Sequence, residues 1–239
     1  MRRALGMEEA VACVRQAFVA LSSGEATVPL RLPLETEHGV SLFMPAHLPS
    51  EGTAGAKVVS VNPGNRARGL PSIHATVLLL DPETGRPLAL MDGTWLTALR
   101  TGAAGGVAAD LLARPDARVA AVFGAGVQAR TQLEALRVVR DIDEVRLVSR
   151  TGASAARWAE ELSGLDVRVV TDPVEAVRGA DVVVAATDSA TPVFPGEAVE
   201  AGTHVTGVGS YTPEMREVDT ELVRRARVFV DQTEAVLAE

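Results

Sequence analysis

The segment VAAVFGAGVQAR, residues 119–130, decides the fold of this chain. An apolar run is followed by Gly124 and Gly126, and then by the helical pattern VQARTQLEALRVV. With Ala129 the glycines fit G-x-G-x-x-A, in which the first glycine turns the chain and the second lets a phosphate approach the backbone. The last small residue lets the helix pack closely against the strand. The segment therefore predicts a dinucleotide-binding loop, and a turn without any ligand is the alternative.

Strands and helices alternate through the rest of the C-terminal half. The short apolar strands RVAAVF, EVRLVS, VRVV, ADVVVAA and THVTGV are separated by amphipathic helical patterns. Such alternation is typical of a parallel sheet with right-handed crossovers, whose strands are buried on both faces and therefore read as uninterrupted apolar runs. We predict an α/β fold with a Rossmann-type parallel sheet domain over residues 114–239.

The N-terminal half shows a different order of predicted helices and strands. Residues 7–22 space apolar side chains at helical intervals, and five β-like segments follow, with the turn DPETGRP at 81–87. Residues 93–113 predict a long helix whose small residues would allow close approach of another backbone. We therefore predict an N-terminal α+β domain over residues 1–113.

Composition excludes several classes of function. The chain has 239 residues, of which 47% are apolar, and a net charge of −8, which argues against a nucleic-acid or membrane-surface protein. No apolar run approaches the roughly 20 residues that span a bilayer. The single cysteine, Cys13, cannot form an internal disulfide and is predicted to be a small core residue of the first helix. We expect a cytoplasmic protein.

The residues after the second strand of the parallel sheet bear on cofactor choice. NAD-binding folds usually place an acid there, on the ribose hydroxyls, but this chain has Ser149, Arg150 and Thr151. An arginine beside two hydroxyls would attract a 2′-phosphate, so NADP(H) is favoured over NAD(H), which remains the alternative. A solvated surface role for Arg150 is the other interpretation.

Two further loops should lie at the same edge of the sheet, because ligands sit outside the carboxyl ends of parallel strands. Thr187 follows the fourth strand, and Gly207 and Gly209 accompany the fifth. The predicted cofactor-binding residues are Thr101, Gly124, Ala125, Gly126, Val127, Gln128, Ser149, Arg150, Thr151, Thr187, Val208, Gly209 and Ser210.

Lys57 is the only lysine in a chain that otherwise uses arginine as its cation. A flat guanidinium cannot replace a compact ammonium at a crowded site, so this lysine is a candidate functional residue. Biased codon usage is the alternative explanation.

Four stretches together resemble the ornithine cyclodeaminase/mu-crystallin family. They are AKVVSVNPGN (56–65), the segment from Leu70 to Gly106 that contains TALRTGAA, VFGAGVQAR, and GVGSYTPEMREVD (207–219). The resemblance covers nearly the whole chain. Family members are usually longer, and we expect this chain to lack a few N-terminal residues and a C-terminal segment that returns to the first domain.

The resemblance implies a substrate clamp and a mode of assembly. It places carboxylate binding on Arg31, Lys57 and Arg100, contact with the cofactor phosphates on Thr101, and dimer formation on the first domain. A homodimer acting on a small α-amino or α-imino acid is implied. The chemistry agrees, because arginine grips a carboxylate bidentately and lysine supplies a point charge. Arg31, placed in a strand between prolines, has a surface role as its alternative.

One position departs from the family pattern. Ornithine cyclodeaminases carry an aspartate just after the glycine-rich turn of the fifth strand, where this chain has Tyr211 between Ser210 and Thr212. The nearby Glu214, Glu217 and Asp219 are interpreted as flanking or capping the next helix. The favoured function is therefore an NAD(P)H-dependent reductase of a small α-imino acid, of the Δ1-pyrroline-2-carboxylate or ketimine type.

In this interpretation Lys57 and Arg100 position the substrate, and Tyr211, Thr212 or a water supplies the proton. Three alternatives stay open: an ornithine cyclodeaminase with catalytic NAD, an alanine dehydrogenase, and a non-catalytic NADPH-dependent binder of small ligands. The four histidines show no metal-ligand spacing, so no metal site is predicted.

Overall fold

The structure is a computed structural model that describes residues 5–210 and 212–238. The chain forms two compact units. The first comprises Met1–Gly6 and Ala12–Arg100, and the second comprises Met7–Val11 and Thr101–Glu239.

The first unit contains an antiparallel sheet whose strands follow chain order. Its elements are the greater part of α1 (Met7–Ser22), β1 (Leu32–Thr36), β2 (Gly39–Leu48), β3 (Thr53–Val61), β4 (Ile73–Leu80), β5 (Pro87–Asp92) and the start of α2 (Thr94–Leu112). In the centre of the sheet Lys57 on β3 lies opposite Met44 on β2 and Val77 on β4. The register therefore places the only lysine on the most protected strand of the sheet.

Few side chains of this sheet are buried. Val59 and Ala75 belong to the core, whereas large apolar residues of the two outer strands are exposed. These exposed residues include Leu32 and Leu34 on β1 and Leu90 on β5, the last with 74% of its surface accessible.

The second unit is built on a parallel sheet. Its elements are the rest of α2, β6 (Val119–Phe123), α3 (Val127–Val139), β7 (Glu144–Val148), α4 (Ala153–Glu161), β8 (Asp166–Val169), α5 (Pro173–Val177), β9 (Val182–Ala185), β10 (His204–Gly207), α6 (Thr220–Arg225) and α7 (Thr233–Ala238). The strand order is β10-β9-β6-β7-β8, and all neighbours are parallel. The predicted α/β fold with a Rossmann-type parallel sheet is confirmed.

Both faces of the parallel sheet carry a core. Val122, Leu147 and Trp158 belong to the cluster on one face, and Phe123 and Phe194 to the cluster on the other. All four residues of β9 are buried. Apolar side chains on both faces explain why these strands show no alternation of polar and apolar residues.

Helix α2 packs closely on α3 because its contact residues are glycines. A Cβ at Gly102 would lie 2.5 Å from the carbonyl oxygen of Thr131, and one at Gly105 would lie 1.8 Å from the side-chain oxygen of Gln132. The predicted close approach along the small residues of this helix is confirmed. Since the C-terminal part of α2 packs on α3, the units divide between Arg100 and Thr101, thirteen residues before the boundary expected from composition.

Several local expectations need correction. Cys13 is exposed, because α1 buries Met7, Ala10 and Val11 on a different face. Arg31 precedes β1 and is not part of a strand.

Two findings concern membrane crossing and metal binding. Within residues 5–210 and 212–238, no helix combines the length and the apolar character that crossing a membrane requires. The same residues contain no cluster of three or more His, Cys, Asp or Glu side chains able to hold a metal ion.

Candidate active site

The glycine loop lies between the end of β6 and the start of α3. Gly124 has φ +106°, a conformation that favours glycine, and a Cβ there would lie 2.4 Å from the carbonyl oxygen of Ala186. Its amide donates to the carbonyl of Val148 at 2.8 Å. Ala129 is fully buried against the sheet. Both residues therefore have the structural roles that the motif predicts.

Gly126 differs from Gly124, because nothing lies within 4 Å of the position its Cβ would take. It is the N-cap residue of α3, and no side chain caps this helix. The first amides of an α-helix have no partner within the helix, and with the helix dipole they favour an anion. Open space above amides at a helix N-terminus fits a pyrophosphate.

Gln128, in the first turn of α3, supplies a second observation of fit. Its side-chain oxygen is buried and has no hydrogen-bond partner among the described residues. Buried polar atoms are nearly always hydrogen-bonded, so this unpaired acceptor, two residues after the open glycine, indicates a place for a donor such as a ribose hydroxyl of the nucleotide. The residues of this loop therefore fit the dinucleotide that the sequence predicts.

The turn after β7 carries no carboxylate. The Ser149 hydroxyl accepts a hydrogen bond from the amide of Ala155 at 3.2 Å and another from the Ser154 hydroxyl at 3.0 Å. Arg150 and Thr151 are exposed, and Arg150 makes no ion pair within the described part of the chain. A guanidinium without an acidic partner is available to a ligand at this edge of the sheet.

Thr187 and Gly209 follow β9 and β10 and are joined through a residue that sequence reasoning missed. The buried carboxylate of Glu217 accepts hydrogen bonds from Thr187 and from the amide of Gly209. The predicted helix-flanking role of Glu217 is therefore wrong. Asp219 does cap a helix, since it accepts from the amide of Leu222 at 2.8 Å.

Val208 and Ser210 lie beside Gly209 at this edge of the sheet. The Val208 amide donates to the carbonyl of Ala185 at 2.9 Å, and Ser210 is exposed. Thr212 is half-buried, and its carbonyl accepts from the amide of Met215 at 3.1 Å. Tyr211 lies outside the described residues.

The first unit brings three cations together. The pKa of Lys57 is lowered to about 8, chiefly because burial removes water from its ammonium, and further because Arg100 and Arg31 bring positive charge close to it. The three residues come from β3, from α2 and from the segment before β1, so only the folded chain assembles them. A cluster of like charges around a half-buried ammonium is suited to an organic carboxylate.

Thr101 follows Arg100 directly and begins the second unit. Its carbonyl accepts a hydrogen bond from the side-chain amide of Gln132 on α3 at 2.8 Å. Gln132 is almost fully buried and was not identified from the sequence, where a glutamine on an amphipathic helix carries no signal. It holds the backbone of Thr101 against the helix that follows the glycine loop.

Comparisons with known proteins agree on one family. A sequence model of the ornithine cyclodeaminase/mu-crystallin family matches residues 2–239. An alanine dehydrogenase of Archaeoglobus fulgidus is 42% identical over 230 residues, covering 96% of this chain and 71% of that protein. A Delta(1)-pyrroline-2-carboxylate reductase of Bacillus cereus is 38% identical over 244 residues, covering all of this chain and 75% of the relative.

A solved structure gives the same result for the fold. The Delta(1)-pyrroline-2-carboxylate reductase of Thermococcus litoralis, in complex with NADH and L-proline, matches with a TM-score of 0.94 and 43% sequence identity. The match covers 98% of this chain and 74% of that structure.

Proposed function

The chain belongs to the ornithine cyclodeaminase/mu-crystallin family, and on this basis we propose that it is an NAD(P)H-dependent reductase of a small α-imino acid. The observation that carries the proposal is the cluster of Arg31, Lys57 and Arg100, in which the pKa of the only lysine is lowered to about 8. Such a cluster suits the carboxylate that every α-imino acid carries.

The reaction adds a hydride and a proton across a C=N bond and gives an amine. A dihydronicotinamide held at the carboxyl edge of the parallel sheet would supply the hydride. The clamp residues Arg31, Lys57 and Arg100 hold the substrate carboxylate and so fix the position of the imine carbon, a contribution of positioning. Tyr211, Thr212 or a water molecule delivers the proton to the nitrogen.

The cofactor is held by the loops at the carboxyl edge of the parallel sheet. We assign the pyrophosphate to residues 124–128 and Thr101, and the nicotinamide half to Thr187 and the residues 208–210. NADP(H) is the preferred cofactor in this proposal, because Arg150 is exposed without an acidic partner and Ser149 and Thr151 add hydroxyl donors. NAD(H) is the alternative.

Removal of the Arg150 guanidinium should weaken the binding of NADPH far more than the binding of NADH. We expect Arg150→Ala to lower NADPH affinity about tenfold or more, since it removes a charge-assisted contact to the 2′-phosphate, and to leave NADH affinity unchanged. Nucleotide fluorescence titration measures both. Arg157→Ala is the matched control, because Arg157 is an exposed arginine on the neighbouring helix α4.

Cofactor preference can also be moved in the other direction. Ser149→Asp should favour NADH, because a carboxylate at the end of β7 accepts from ribose hydroxyls and repels a 2′-phosphate. The preference for NADP(H) would be contradicted if Arg150→Ala lowered the affinities for NADPH and NADH equally and Ser149→Asp did not shift the cofactor preference.

Affinity for a carboxylate ligand should depend on pH through Lys57. Its side-chain amine is charged below its pKa of about 8 and neutral above it. Binding of a carboxylate is therefore strong at neutral pH and weakens as the pH rises through 8. We expect a loss of up to about tenfold per pH unit above 8. Pyrrole-2-carboxylate is a suitable probe, because its carboxylate is already ionised over this range. Lys57→Met, which has no ammonium to titrate, should bind the probe more weakly at every pH and should not show the loss near pH 8.

An alanine dehydrogenase is the second candidate, favoured by the 42% identity to the archaeal enzyme of that name. It would use the same carboxylate clamp in the direction of amine oxidation. An ornithine cyclodeaminase is less well supported, because Tyr211 stands where those enzymes carry an aspartate. A ligand binder without turnover is the remaining alternative.

A panel of substrates distinguishes the candidates. The folded chain is tested for consumption of NADPH and NADH with Δ1-pyrroline-2-carboxylate, for reduction of NAD(P)⁺ with alanine, and for ammonia release from ornithine. We expect the highest kcat/KM with the imine. Faster turnover of alanine or ornithine would replace the reductase with the corresponding alternative, and nucleotide binding without any turnover would favour the binder.

We further propose that the chain forms a homodimer through the first unit and works in the cytoplasm. Leu32, Leu34 and Leu90, exposed on the two edge strands of the first unit's sheet, support such an interface, because exposed apolar residues are typical of protein contacts.

A further inference from the structure

Glu217 is a buried carboxylate with no part in the predicted site, and only 3% of it is exposed. One carboxylate oxygen accepts from the Thr187 amide at 2.5 Å and from the Thr187 hydroxyl at 2.7 Å. The other oxygen accepts from the Gly209 amide at 2.5 Å. Each oxygen therefore holds a different loop, one following β9 and the other following β10.

The backbone around Glu217 is itself fixed to the loop after β9. Its carbonyl accepts from the amide of Val193 at 2.9 Å, and the Arg216 amide donates to the carbonyl of Ser189 at 2.9 Å. A Cβ at Gly209 would lie 1.9 Å from the carbonyl oxygen of Thr187 and 2.8 Å from a Glu217 oxygen. The two loops and the carboxylate are thus packed without space for any side chain at position 209.

The position of these loops in the sheet indicates what they serve. Strand order reverses between β6 and β9, and a dinucleotide lies across the crevice at such a switch point. The β7 side takes the adenosine half, because the ribose contact follows that strand. The loops after β9 and β10 therefore face the nicotinamide half.

We propose that Glu217 is a positioning residue for the nicotinamide end of the cofactor, acting by clasping the Thr187 and Gly209 loops together. This inference rests on the proposed function. Three strong donors occupy the two carboxylate oxygens, so Glu217 acts through these loops and does not itself transfer the substrate proton. Charge-assisted hydrogen bonds of this kind fix geometry more firmly than neutral ones.

The test is Glu217→Gln, which keeps the size of the side chain but leaves a single acceptor oxygen. An amide group must then face either Thr187 or Gly209, donor against donor, and one loop is released. We expect NADH affinity and kcat for imine reduction each to fall by about tenfold or more, because small displacements of reacting groups are costly. Affinity for ADP-ribose, which lacks the nicotinamide, should stay within about twofold of that of the unsubstituted protein.

The matched control is Asp219→Asn, two residues away. Asp219 accepts from the amides of Gly196 at 2.7 Å and Leu222 at 2.8 Å, and neither belongs to the cofactor loops. The Asp219→Asn variant should lose thermal stability, but its affinity for NADH should not fall more than its affinity for ADP-ribose. Glu217→Asp keeps a carboxylate that is one methylene shorter, and we expect a smaller change of the same kind, which is informative even where the glutamine variant fails to fold.

Equal losses of NADH and ADP-ribose affinity in the Glu217 variants would assign the residue a purely structural role and overturn the proposal, as would unchanged values for both. The binding comparison does not depend on turnover. A chain that binds NADH but reduces no imine would therefore reject the proposed function and still decide the role of Glu217.

Discussion

Lys57→Ala should lower kcat/KM for imine reduction by about a hundredfold or more, with NADPH affinity unchanged. The reason is that the variant removes a half-buried charge that contacts the substrate carboxylate in the proposed function, and truncating such contacts costs several kcal/mol, on the order of 2–5. Steady-state kinetics with Δ1-pyrroline-2-carboxylate and a separate nucleotide titration measure the two quantities. Arg86→Ala is the matched control, since it removes an exposed cation of the first unit that lies in the turn between β4 and β5 and is not part of the clamp.

Removal of the Lys57 charge should not by itself destabilise the Lys57→Ala variant. Because the pKa of Lys57 is about 8 in the fold, against 10.5 for an unperturbed lysine, the unfolded chain binds more protons between these values. The free energy of unfolding therefore rises with pH from 8 to 10.5 in the unsubstituted protein, and Lys57→Ala should lack this rise. Normal imine reduction by Lys57→Ala would show that the carboxylate clamp is assigned incorrectly.

Gly126→Asp should abolish nucleotide binding while leaving the fold intact. Nothing lies within 4 Å of the new Cβ, and aspartate is a better N-cap than glycine by a few tenths of a kcal/mol. The new carboxylate accepts from the amides that would otherwise hold the pyrophosphate, and it repels the phosphates. We expect NADPH and NADH affinities to fall by about a hundredfold or more with an unchanged or slightly raised unfolding temperature.

Gly6→Asp provides a matched control for this substitution. Gly6 is the N-cap of α1, it also lacks a side-chain cap, and nothing lies within 4 Å of its Cβ position. The Gly6→Asp variant should gain an equal or smaller stabilisation, because Glu8 and Glu9 already lie in the first turn of α1, and nucleotide affinity should not change. Native nucleotide affinity in Gly126→Asp would place the cofactor elsewhere.

The fold of the second unit could be predicted from the sequence because its strands are buried on both faces. That burial produces uninterrupted apolar runs, and the helical pattern after the glycines gives α3 its observed bounds, Val127–Val139. The division between the units could not be predicted. Helix α2 continues through it without any break in composition, and only its packing on α3 assigns Thr101–Leu112 to the second unit.

The candidate site could be predicted only in part. The glycine loop is a contiguous motif, so its spacing, together with the apolar strand before it and the helical pattern after it, identified it. Glu217 stands among Glu214 and Asp219 in a segment without periodicity, and its hydrogen bonds to Thr187, 30 residues away, and to Gly209 exist only in the folded chain. Cys13 was predicted to be a core residue but is exposed, because the apolar pattern of an amphipathic helix does not show where its buried face ends.

The proposed function depends on one step, in which a nicotinamide cofactor delivers hydride to the carbon of an α-imino acid held by its carboxylate. The direct measurement supplies Δ1-pyrroline-2-carboxylate and NADPH carrying deuterium at the transferable position of C4, and it examines the product by NMR. We predict proline with a single deuterium on Cα, formed in step with cofactor oxidation. Folded protein saturated with nucleotide that forms no labelled proline would contradict this step.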